Sequence, residues 1–422
     1  MRPRYFFANA CTPAGVTARM RSGRVRESFQ SPPRSCAVAS MIRQKNLIAA
    51  LMWLALFAIS NPRGAIAGEV KTSWQEEWER TIKAAEQEGQ VVLYSLSEIG
   101  DAIANSGFQK KFPKIKISVA SARGGDHISR IMTERRAGKF LADVGNLGNT
   151  TPYTLYQSKT LDPITSAFIL PEVKDESKWW QGKQQFIDPE GKFILVYVGA
   201  PLFLVGYNTK LVDSSGFKSY WDLLDPRWKG KIVAFDPKAG GFAATRDRFF
   251  YHNPELGPVF LRRLFSEMAP TLYARFPQGE DWLAAGKYSI CLCRHQSLSE
   301  AKTQGLPVDL VEPSSFKEGV GVETRAKTLV LMNQAPHPNA AKVFLNWFLS
   351  REGQSDFQKT SAKYIDAGAE GSLRMDISKD DIPPRNRLNP GVKYLPQWNP
   401  EYFDMKPIAK LINEALSEAG KK

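Results

Sequence analysis

The stretch that decides the fold runs from Phe203 to Gly241 and reads FLVGYNTKLVDSSGFKSYWDLLDPRWKGKIVAFDPKAGG. Its first residues continue an apolar run at 201–205, which predicts a buried strand. Residues 206–209, Gly-Tyr-Asn-Thr, have turn chemistry and predict that this strand ends there. Ser219 stands three residues before Asp222. This spacing predicts a short helix, because the hydroxyl caps a backbone N–H and the acid suits the positive helix end.

The second half of the stretch predicts a strand that leads through a glycine-rich loop into another helix. Residues 232–235, Ile-Val-Ala-Phe, are apolar, and Gly240 and Gly241 precede a helix predicted from Phe242. A loop of this kind directs backbone N–H groups and the positive end of the helix at one point, which favours a bound anion. The alternative is an ordinary connection in which the glycines only serve the turn.

Two blocks of sequence give the chain a family resemblance. YNTKLV at 207–212, YWDLLDPRWKGKIV at 220–233 and the glycine pair are similar to the extracellular solute-binding proteins of bacterial ABC importers, in their ferric-iron-type branch. APHPNAAKVF at 335–344 and LSREGQ at 349–354 resemble the C-terminal signature of the same family. The resemblance implies an α/β protein with the type II periplasmic-binding fold. Two lobes, each a mostly parallel sheet flanked by helices, would be joined by hinge strands.

The length and the resemblance together predict the domain boundaries. A chain of 422 residues is too long for one ordinary domain and fits two lobes. We expect lobe 1 to comprise residues 68–200 and 327–377, and lobe 2 to comprise residues 201–326 and 378–422. The ligand would lie in the cleft between the lobes.

The residues before Gly68 predict export. Arg43 and Lys45 precede an apolar run at 47–59, and a small-x-small site at 65–67 follows, so we interpret 41–67 as a signal peptide. The run is short of the roughly 20 residues that a membrane-spanning helix needs. The signal predicts a periplasmic protein. We interpret 1–40, which are arginine-rich and almost free of acids, as a mis-assigned start; the alternative is a disordered extension or a transit peptide.

The formal charge of +14 does not indicate nucleic-acid binding once it is divided along the chain. Ten of the 57 Lys and Arg but only one of the 43 acids precede Gly68. The remaining 47 basic and 42 acidic residues leave a net charge of +5. A modest excess spread over a large surface argues against a nucleic-acid interface and suits an anionic ligand.

Candidate binding residues follow the predicted strands of the first lobe. Short strands predicted at 91–94, 115–119 and 142–144 alternate with helical patterns, which predicts a parallel sheet. In such sheets ligands bind in the loops beyond the carboxyl ends of the strands. This rule selects Ser95, Ser97, Arg123, Gly124, Asn146 and Asn149, to which the central stretch adds Gly240 and Gly241. For each of these residues the alternative is a turn residue without a ligand.

Residues 291–295, Cys-Leu-Cys-Arg-His, contain two cysteines and a histidine, which are residue types that bind zinc or carry out thiol chemistry. The spacing argues against both, because two cysteines two apart in a strand point the same way and cannot easily bridge. We interpret them as buried residues of a strand at 288–293. Arg294 and His295 follow where this strand should end, so Arg294 is a further candidate for the cleft wall.

The resemblance places two more residues in the site. Iron-binding members carry adjacent tyrosines after this strand, and the spacing back from Gly305 places that pair on Gln296 and Ser297. Neither residue is a ligand for ferric iron. An organic anion such as a carboxylate, phosphonate or phosphate suits Gln296, Ser297 and two arginines better.

We therefore expect the periplasmic substrate-binding component of an ABC importer. It would capture a small, anionic organic solute and deliver it to a permease in the inner membrane, as a monomer without cofactor or metal. The first alternative is a ferric-iron binder that uses Glu98, Tyr207 or His295. The second is an enzyme that reuses the fold, but the sequence has no P-loop and no nucleophile elbow, so we expect no catalysis.

Overall fold

The computed structural model describes residues 72–275, 277–365 and 371–420. The predicted extension at 1–40 and the predicted signal peptide at 41–67 lie outside the described residues. All described residues belong to one compact unit, Val70–Lys422. Within the described ranges, no helix combines the length and the apolar character that crossing a membrane requires.

Helices and strands alternate along most of the chain. The helices are α1 Ser73–Glu88, α2 Ser97–Ala104, α3 Phe108–Lys111, α4 Gly124–Arg136, α5 Thr150–Gln157, α6 Pro171–Lys174, α7 Phe242–His252, α8 Gly257–Ser266, α9 Gln278–Ala284, α10 His295–Thr303, α11 Pro338–Leu349, α12 Arg351–Tyr364 and α13 Lys406–Ala419. The strands are β1 Gln90–Ser95, β2 Lys116–Ser121, β3 Val144–Leu147, β4 Leu161–Asp162, β5 Gln185–Phe186, β6 Ile194–Val196, β7 Ala200–Pro201, β8 Gly206–Asn208, β9 Ile232–Phe235, β10 Thr271–Tyr273, β11 Ile290–Leu292, β12 Val308–Leu310, β13 Val320–Glu323, β14 Thr328–Met332 and β15 Tyr394–Pro396.

The first sheet has seven strands in the order β2-β1-β3-β14-β6-β5, with β4 paired to β14. Strands β1, β2 and β3, which are separated by helices, are parallel as the sequence predicts. The strands that enter without a preceding crossover helix, β14 and β6, pair antiparallel. The sheet is therefore mixed, with its parallel part where the strand-helix-strand pattern lies.

The second sheet has five strands in the order β10-β9-β11-β8-β12. Its first three strands in this order, β10-β9-β11, are parallel, whereas β8 runs antiparallel to both of its neighbours. A third sheet of three strands, β15-β13-β7, contains the segments that run between the two larger sheets. Each large sheet thus presents the carboxyl ends of several parallel strands at one edge, where a ligand site is expected.

Separate apolar clusters form the core around the two large sheets. In the first, Leu93 and Leu329 of the sheet belong to the same buried cluster as Phe344 of α11. In the second, Ile232 of β9 belongs to a cluster with Ile408 of the C-terminal helix α13. Each fully buried side chain of this kind contributes about 1.5–3 kcal/mol, so both clusters hold their helices firmly against the sheets.

The central stretch folds largely as its sequence predicts, with one correction. Ser219 and Asp222 form the predicted capping box at the start of a short 3-10 helix, Tyr220–Leu224. The predicted turn at 206–209 is wrong, because Gly206–Asn208 is strand β8. A Cβ at Gly206 would lie 2.2 Å from Cδ1 of Leu298, so this glycine permits close packing of α10 and does not mark a turn.

The expectation that the two body cysteines cannot easily bridge is also wrong. A disulfide joins Cys291 and Cys293, whose Cα atoms are 5.3 Å apart. Residues two apart in a regular strand are separated by roughly 6.5 Å. Strand β11 ends at Leu292, so the chain bends before Cys293 and brings the two sulfur atoms together. Both cysteines are fully buried, as expected.

Candidate functional site

The main cleft is a cavity of about 1060 Å³. One wall follows strands of the seven-stranded sheet, the other follows strands of the five-stranded sheet, and the segment between β13 and β14 lies along it. The lining residues are Leu96, Ser97, Glu98, Ile99, Ser121, Ala122, Arg123, Asp126, Asn149, Thr150, Gly241, Phe242, Ala244, Thr245, Arg248, Arg294, His295, Gln296, Glu323, Arg325, Ala326, Lys327 and Ile365.

Five helices begin at the main cleft. Their N-cap residues are Leu96 of α2, Arg123 of α4, Asn149 of α5, Gly241 of α7 and Arg294 of α10, and all five line the cavity. None of these side chains accepts a hydrogen bond from the first turn of its own helix. The positive ends of five helix dipoles therefore converge on one space, which favours negative charge there.

Cationic side chains outnumber acidic ones on the described wall of the main cleft. The five cations are Arg123, Arg248, Arg294, Arg325 and Lys327, and the three acids are Glu98, Asp126 and Glu323. The helix ends and the side chains thus contribute the same sign of potential. A cleft with low-dielectric walls focuses this field on a small ligand.

Arg248 of α7 is a buried cation of the cleft wall. Its residue is only 6 % exposed, and its buried Nε has no hydrogen-bond partner among the described residues. Burial lowers the pKa of Arg248 to about 10, although the negative charge of Glu323 opposes this shift. Arg248 therefore keeps its charge at neutral pH, and an anion in the cleft would satisfy it.

His295 positions a second arginine. Its Nε2 accepts a hydrogen bond from Nη2 of Arg325 at 3.1 Å. Burial, assisted by the positive charges of Arg325, Arg294 and Arg385, holds the pKa of His295 well below its ordinary value. The imidazole is therefore neutral and acts as an acceptor, which fixes the orientation of the Arg325 guanidinium at the cleft wall.

The segment that carries Arg325 has an uncommon backbone conformation. Arg325 and Ala326 have φ of 45° and 64°, in the left-handed region that residues with side chains rarely adopt. Thr324 Oγ1 donates to Asn149 Oδ1, and the N–H of Ala326 donates to Thr324 Oγ1 at 3.2 Å. These bonds attach the segment to the wall that follows the seven-stranded sheet. Backbone strain of this kind persists only where surrounding contacts maintain it.

A buried carboxyl group lies behind the second wall. Glu280 of α9 is only 2 % exposed, and its Oε1 accepts from the Tyr273 hydroxyl at 3.4 Å. Burial raises the pKa of Glu280 to about 7, against the opposing effect of the positive charge of Arg294. Glu280 therefore gains or loses its proton near neutral pH, and the positive charge of Arg294 in the cleft favours its ionised form.

Six of the eleven residues selected from the sequence meet in the main cleft. They are Ser97, Arg123, Asn149, Gly241, Arg294 and Gln296. They come from both large sheets, so the rule of strand-end loops located the cavity from either side. Their contact with a ligand stays a prediction.

The other five do not line the main cleft. Asn146 lies in β3 instead of the loop and bonds Tyr197, and Ser95 is buried at the end of β1. Gly124 lies where a Cβ would approach Thr151 Oγ1 at 2.4 Å, so it serves packing between helices. Two more residues fall outside the lining, namely Gly240, which borders a separate small pocket, and Ser297.

Sequence reasoning missed three cations of the wall, Arg248, Arg325 and Lys327. Arg325 and Lys327 precede β14, which begins at Thr328, and none of the strand-end loops selected from the sequence contains them. Arg248 lies almost two turns into α7, beyond the loop with Gly240 and Gly241 that the sequence predicts as an anion site. Arg248 lies six residues after Phe242, the first residue of α7. Helix geometry alone could therefore have placed it less than two turns from the helix end that faces the cleft.

The described residues give no sign of a metal centre of the usual kind. They contain no group of three or more His, Cys, Asp and Glu that could hold a metal ion. Glu98 and His295, two of the residues considered for ferric iron, line the main cleft, whereas Tyr207 lies in β8 and does not. No tyrosine is among the described lining residues of the cleft.

Comparison with solved structures identifies the fold. The periplasmic binding protein AfuA from Actinobacillus pleuropneumoniae, with exogenous fructose-6-phosphate bound, is 20 % identical, with a TM-score of 0.52 and coverage of 79 % of this chain and 99 % of that one. FutA from Trichodesmium, in complex with iron and citrate, is 18 % identical, with a TM-score of 0.57 and coverage of 79 % and 100 %. The expected α/β class and type II periplasmic-binding fold are confirmed.

Comparison of sequences identifies the family. A protein from Haemophilus influenzae, described as uncharacterized, is 26 % identical over 288 residues, which are 64 % of this chain and 76 % of that protein. The family model described as bacterial extracellular solute-binding protein matches residues 106–365, more than half of the chain. The chain therefore belongs to the bacterial extracellular solute-binding proteins.

Proposed function

We propose that this protein is the periplasmic solute-binding component of an ABC importer and that its solute is a small organic anion. The observation that carries the choice of an anion is Arg248, a buried cation with an unsatisfied Nε in a cleft where five helices begin. A carboxylate, phosphonate or phosphate would meet both the guanidinium and the helix ends. The protein binds and releases this solute without converting it.

The two related structures illustrate both classes of cargo considered for this chain. AfuA holds fructose-6-phosphate, an organic anion, and FutA holds iron with citrate. The residues that match the tyrosine pair of iron-binding members are Gln296 and Ser297 here, and five cations outnumber three acids on the wall. This arrangement favours the organic anion, because a bare ferric ion needs anionic ligands.

Binding would be transmitted to the permease by closure of two lobes. We propose that lobe 1 comprises residues 68–200 and 327–377 and lobe 2 residues 201–326 and 378–422. A ligand that touches both lobes favours the closed state. A shift from mostly open to mostly closed needs about 5.5 kcal/mol of differential affinity. A few charge-assisted hydrogen bonds at about 1.5–3 kcal/mol each are of this size.

Native mass spectrometry tests the class of solute. The full chain, purified without refolding, should carry an organic adduct that is lost when the same sample is denatured. An adduct of iron, alone or with a small anion, would overturn the proposed cargo. If the protein is bare, a thermal-shift panel of organic anions decides, since a ligand at a hundred times its dissociation constant should stabilise the fold by about 2.7 kcal/mol.

Substitution of Arg123 should weaken anion binding without unfolding the protein. Arg123 is exposed at the mouth of the cleft and caps α4 there, so Arg123→Ala should reduce affinity about ten-fold, the effect of one charged contact in partial solvent. Arg136→Ala, at the opposite end of the same helix, is the matched control. Calorimetric titration of both variants measures the difference, and equal affinities would remove Arg123 from the site.

A further inference from the structure

The segment 400–403 contacts both cores of the protein. It is a short 3-10 helix, Pro400–Phe403, and the side chain of Asn399 before it accepts a hydrogen bond from the N–H of Glu401 at 3.2 Å. Phe403 packs against the buried cluster of the seven-stranded sheet, and Met405 packs against the cluster of the five-stranded sheet. The chain therefore passes from one core to the other within two residues.

Phe403 contacts a helix from each wall of the main cleft. The guanidinium carbon of Arg248 lies 5.4 Å from the Phe403 ring centroid, and the Tyr153 ring centroid lies 5.7 Å from it. Arg248 belongs to α7, which follows β9 of the five-stranded sheet, whereas Tyr153 belongs to α5, which follows β3 of the seven-stranded sheet. We call Tyr153, Phe403 and Arg248 the aromatic bridge, because together they connect the two walls.

A second ring contact fixes the segment 400–403 on α7. The rings of Tyr402 and His252 are stacked, with centroids 4.2 Å apart and planes inclined by 22°. His252 lies four residues after Arg248, so both side chains share one face of α7. Two consecutive aromatic residues thus contact two consecutive turns of the helix, and this determines how Phe403 faces Arg248.

The aromatic bridge restrains Arg248 and leaves its donors available. A contact between a guanidinium and an aromatic ring is attractive but uses none of the N–H groups. The buried Nε of Arg248 has no hydrogen-bond partner among the described residues, so no bond at this atom orients the side chain. Tyr153 and Phe403 are not among the described lining residues of the main cleft. Their effect on an anion would therefore pass through Arg248.

We propose that Phe403 is a positioning residue for the anion: its ring holds the guanidinium of Arg248 at the cleft wall, and Tyr153 of the opposite wall holds the ring. This inference rests on the proposed function, because Arg248 is the cation on which that function is based. It adds that affinity for the anion depends on two aromatic residues that the anion does not touch.

Calorimetric titration of the full chain with inorganic phosphate, methylphosphonate and succinate tests the effect on affinity. Each variant is titrated with the probe that binds the unaltered protein most tightly. Phe403→Leu keeps an apolar side chain but removes the ring, and it should lower affinity about ten-fold, the loss of one largely desolvated cation–π contact. Phe403→Tyr keeps the ring and should bind like the unaltered protein.

Phe193→Leu is the matched control. Phe193 is half-buried like Phe403 and packs against the same cluster, but its ring contacts Tyr156, at 5.2 Å between centroids, and no ring contact with an arginine is described for it. The same loss of an aromatic ring at this position should leave anion affinity unchanged.

Nuclear magnetic resonance of the ligand-free protein, labelled with ¹⁵N-arginine, tests the positioning itself. The Nε–H signal of Arg248 is identified by its loss in Arg248→Met. Phe403→Leu should shift this signal, because the ring no longer lies beside the guanidinium. Tyr153→Leu should shift it in the same direction, through the altered position of Phe403, and Phe193→Leu should not.

The outcomes separate this inference from the proposed function. If Phe403→Leu leaves the signal or the affinity unchanged, or if Phe403→Tyr does not restore the affinity, the inference is overturned and the anion site at Arg248 stands. If Tyr153→Leu leaves the signal unchanged, the connection between the two walls is overturned. If none of the three probes binds the unaltered protein, the proposed function fails, and this inference fails with it.

Discussion

Arg248→Met should lower the affinity for the anion about a hundred-fold and, at the same time, raise the stability of the ligand-free protein. The loss of affinity follows because a buried guanidinium forms charge-assisted hydrogen bonds, of which one or two contribute about 3 kcal/mol, or two decades of affinity. The gain in stability follows from burial. The pKa of Arg248 is lowered from 12.5 to about 10, so the fold disfavours the charged form.

The size of this stability effect, and not its sign, depends on the pH. A base with a lowered pKa in the fold costs stability at every pH below that pKa, where both states are charged, and the cost at neutral pH is about 3 kcal/mol. Methionine removes the charge and fills the same space. Thermal unfolding without ligand at pH 7 measures the change in stability, and calorimetric titration measures the change in affinity.

Arg374→Met is the matched control, because Arg374 is a buried arginine whose bonds are complete. It is 1 % exposed and donates to Asp376, Glu172 and the carbonyl oxygen of Leu349. The same substitution there should destabilise the protein by about 1.5–3 kcal/mol, since it removes charge-assisted hydrogen bonds and leaves the buried carbonyl oxygen of Leu349 without this donor. It should leave anion affinity unchanged. If Arg248→Met behaves like Arg374→Met, the buried cation of the cleft is structural and does not serve a ligand.

The sequence located this cleft because strand-end loops obey a topological rule. Arg123 and Asn149 follow parallel strands of one sheet, Gly241 and Arg294 follow those of the other, and all four line the main cleft. Local chemistry also predicted the capping box at Ser219 and the helix from Phe242. These features depend on neighbours in sequence, which a single chain displays.

The features that the sequence did not reveal depend on neighbours in space. Gly206 looks like a turn residue until Leu298, from a distant helix, is found packed against it. Asn146 looks like a loop residue, but β3 extends by three residues because β14 pairs with it. Arg325 belongs to none of the strand-end loops that the sequence selects, and contacts with His295 and Asn386, both distant in sequence, hold it at the cleft wall. Tertiary contacts overrode local pattern in each case.

Glu280→Gln should stabilise the protein by about 3 kcal/mol at pH 8 and have no effect at pH 4. The pKa of Glu280 is raised from 4.5 to about 7, mainly because burial disfavours the carboxylate. Below pH 4.5 the folded and unfolded states both hold the proton, so nothing is lost. Between pH 4.5 and 7 only the unfolded state ionises, and stability falls as the pH rises. Above pH 7 the full cost of about 2.5 pKa units remains.

Glutamine keeps the shape of Glu280 and cannot ionise, so the variant should lose this pH dependence. Urea unfolding of both proteins at pH 4, 6 and 8 gives the three differences in free energy. Glu77→Gln, on an exposed position of α1, is the control and should change none of them. Tyr273, Arg294 and Asp281 surround the buried carboxyl group, and the attraction of Arg294 opposes the shift. If the stabilisation at pH 8 is absent, that attraction offsets burial, and Glu280 then carries a charge that holds Arg294 away from an incoming anion.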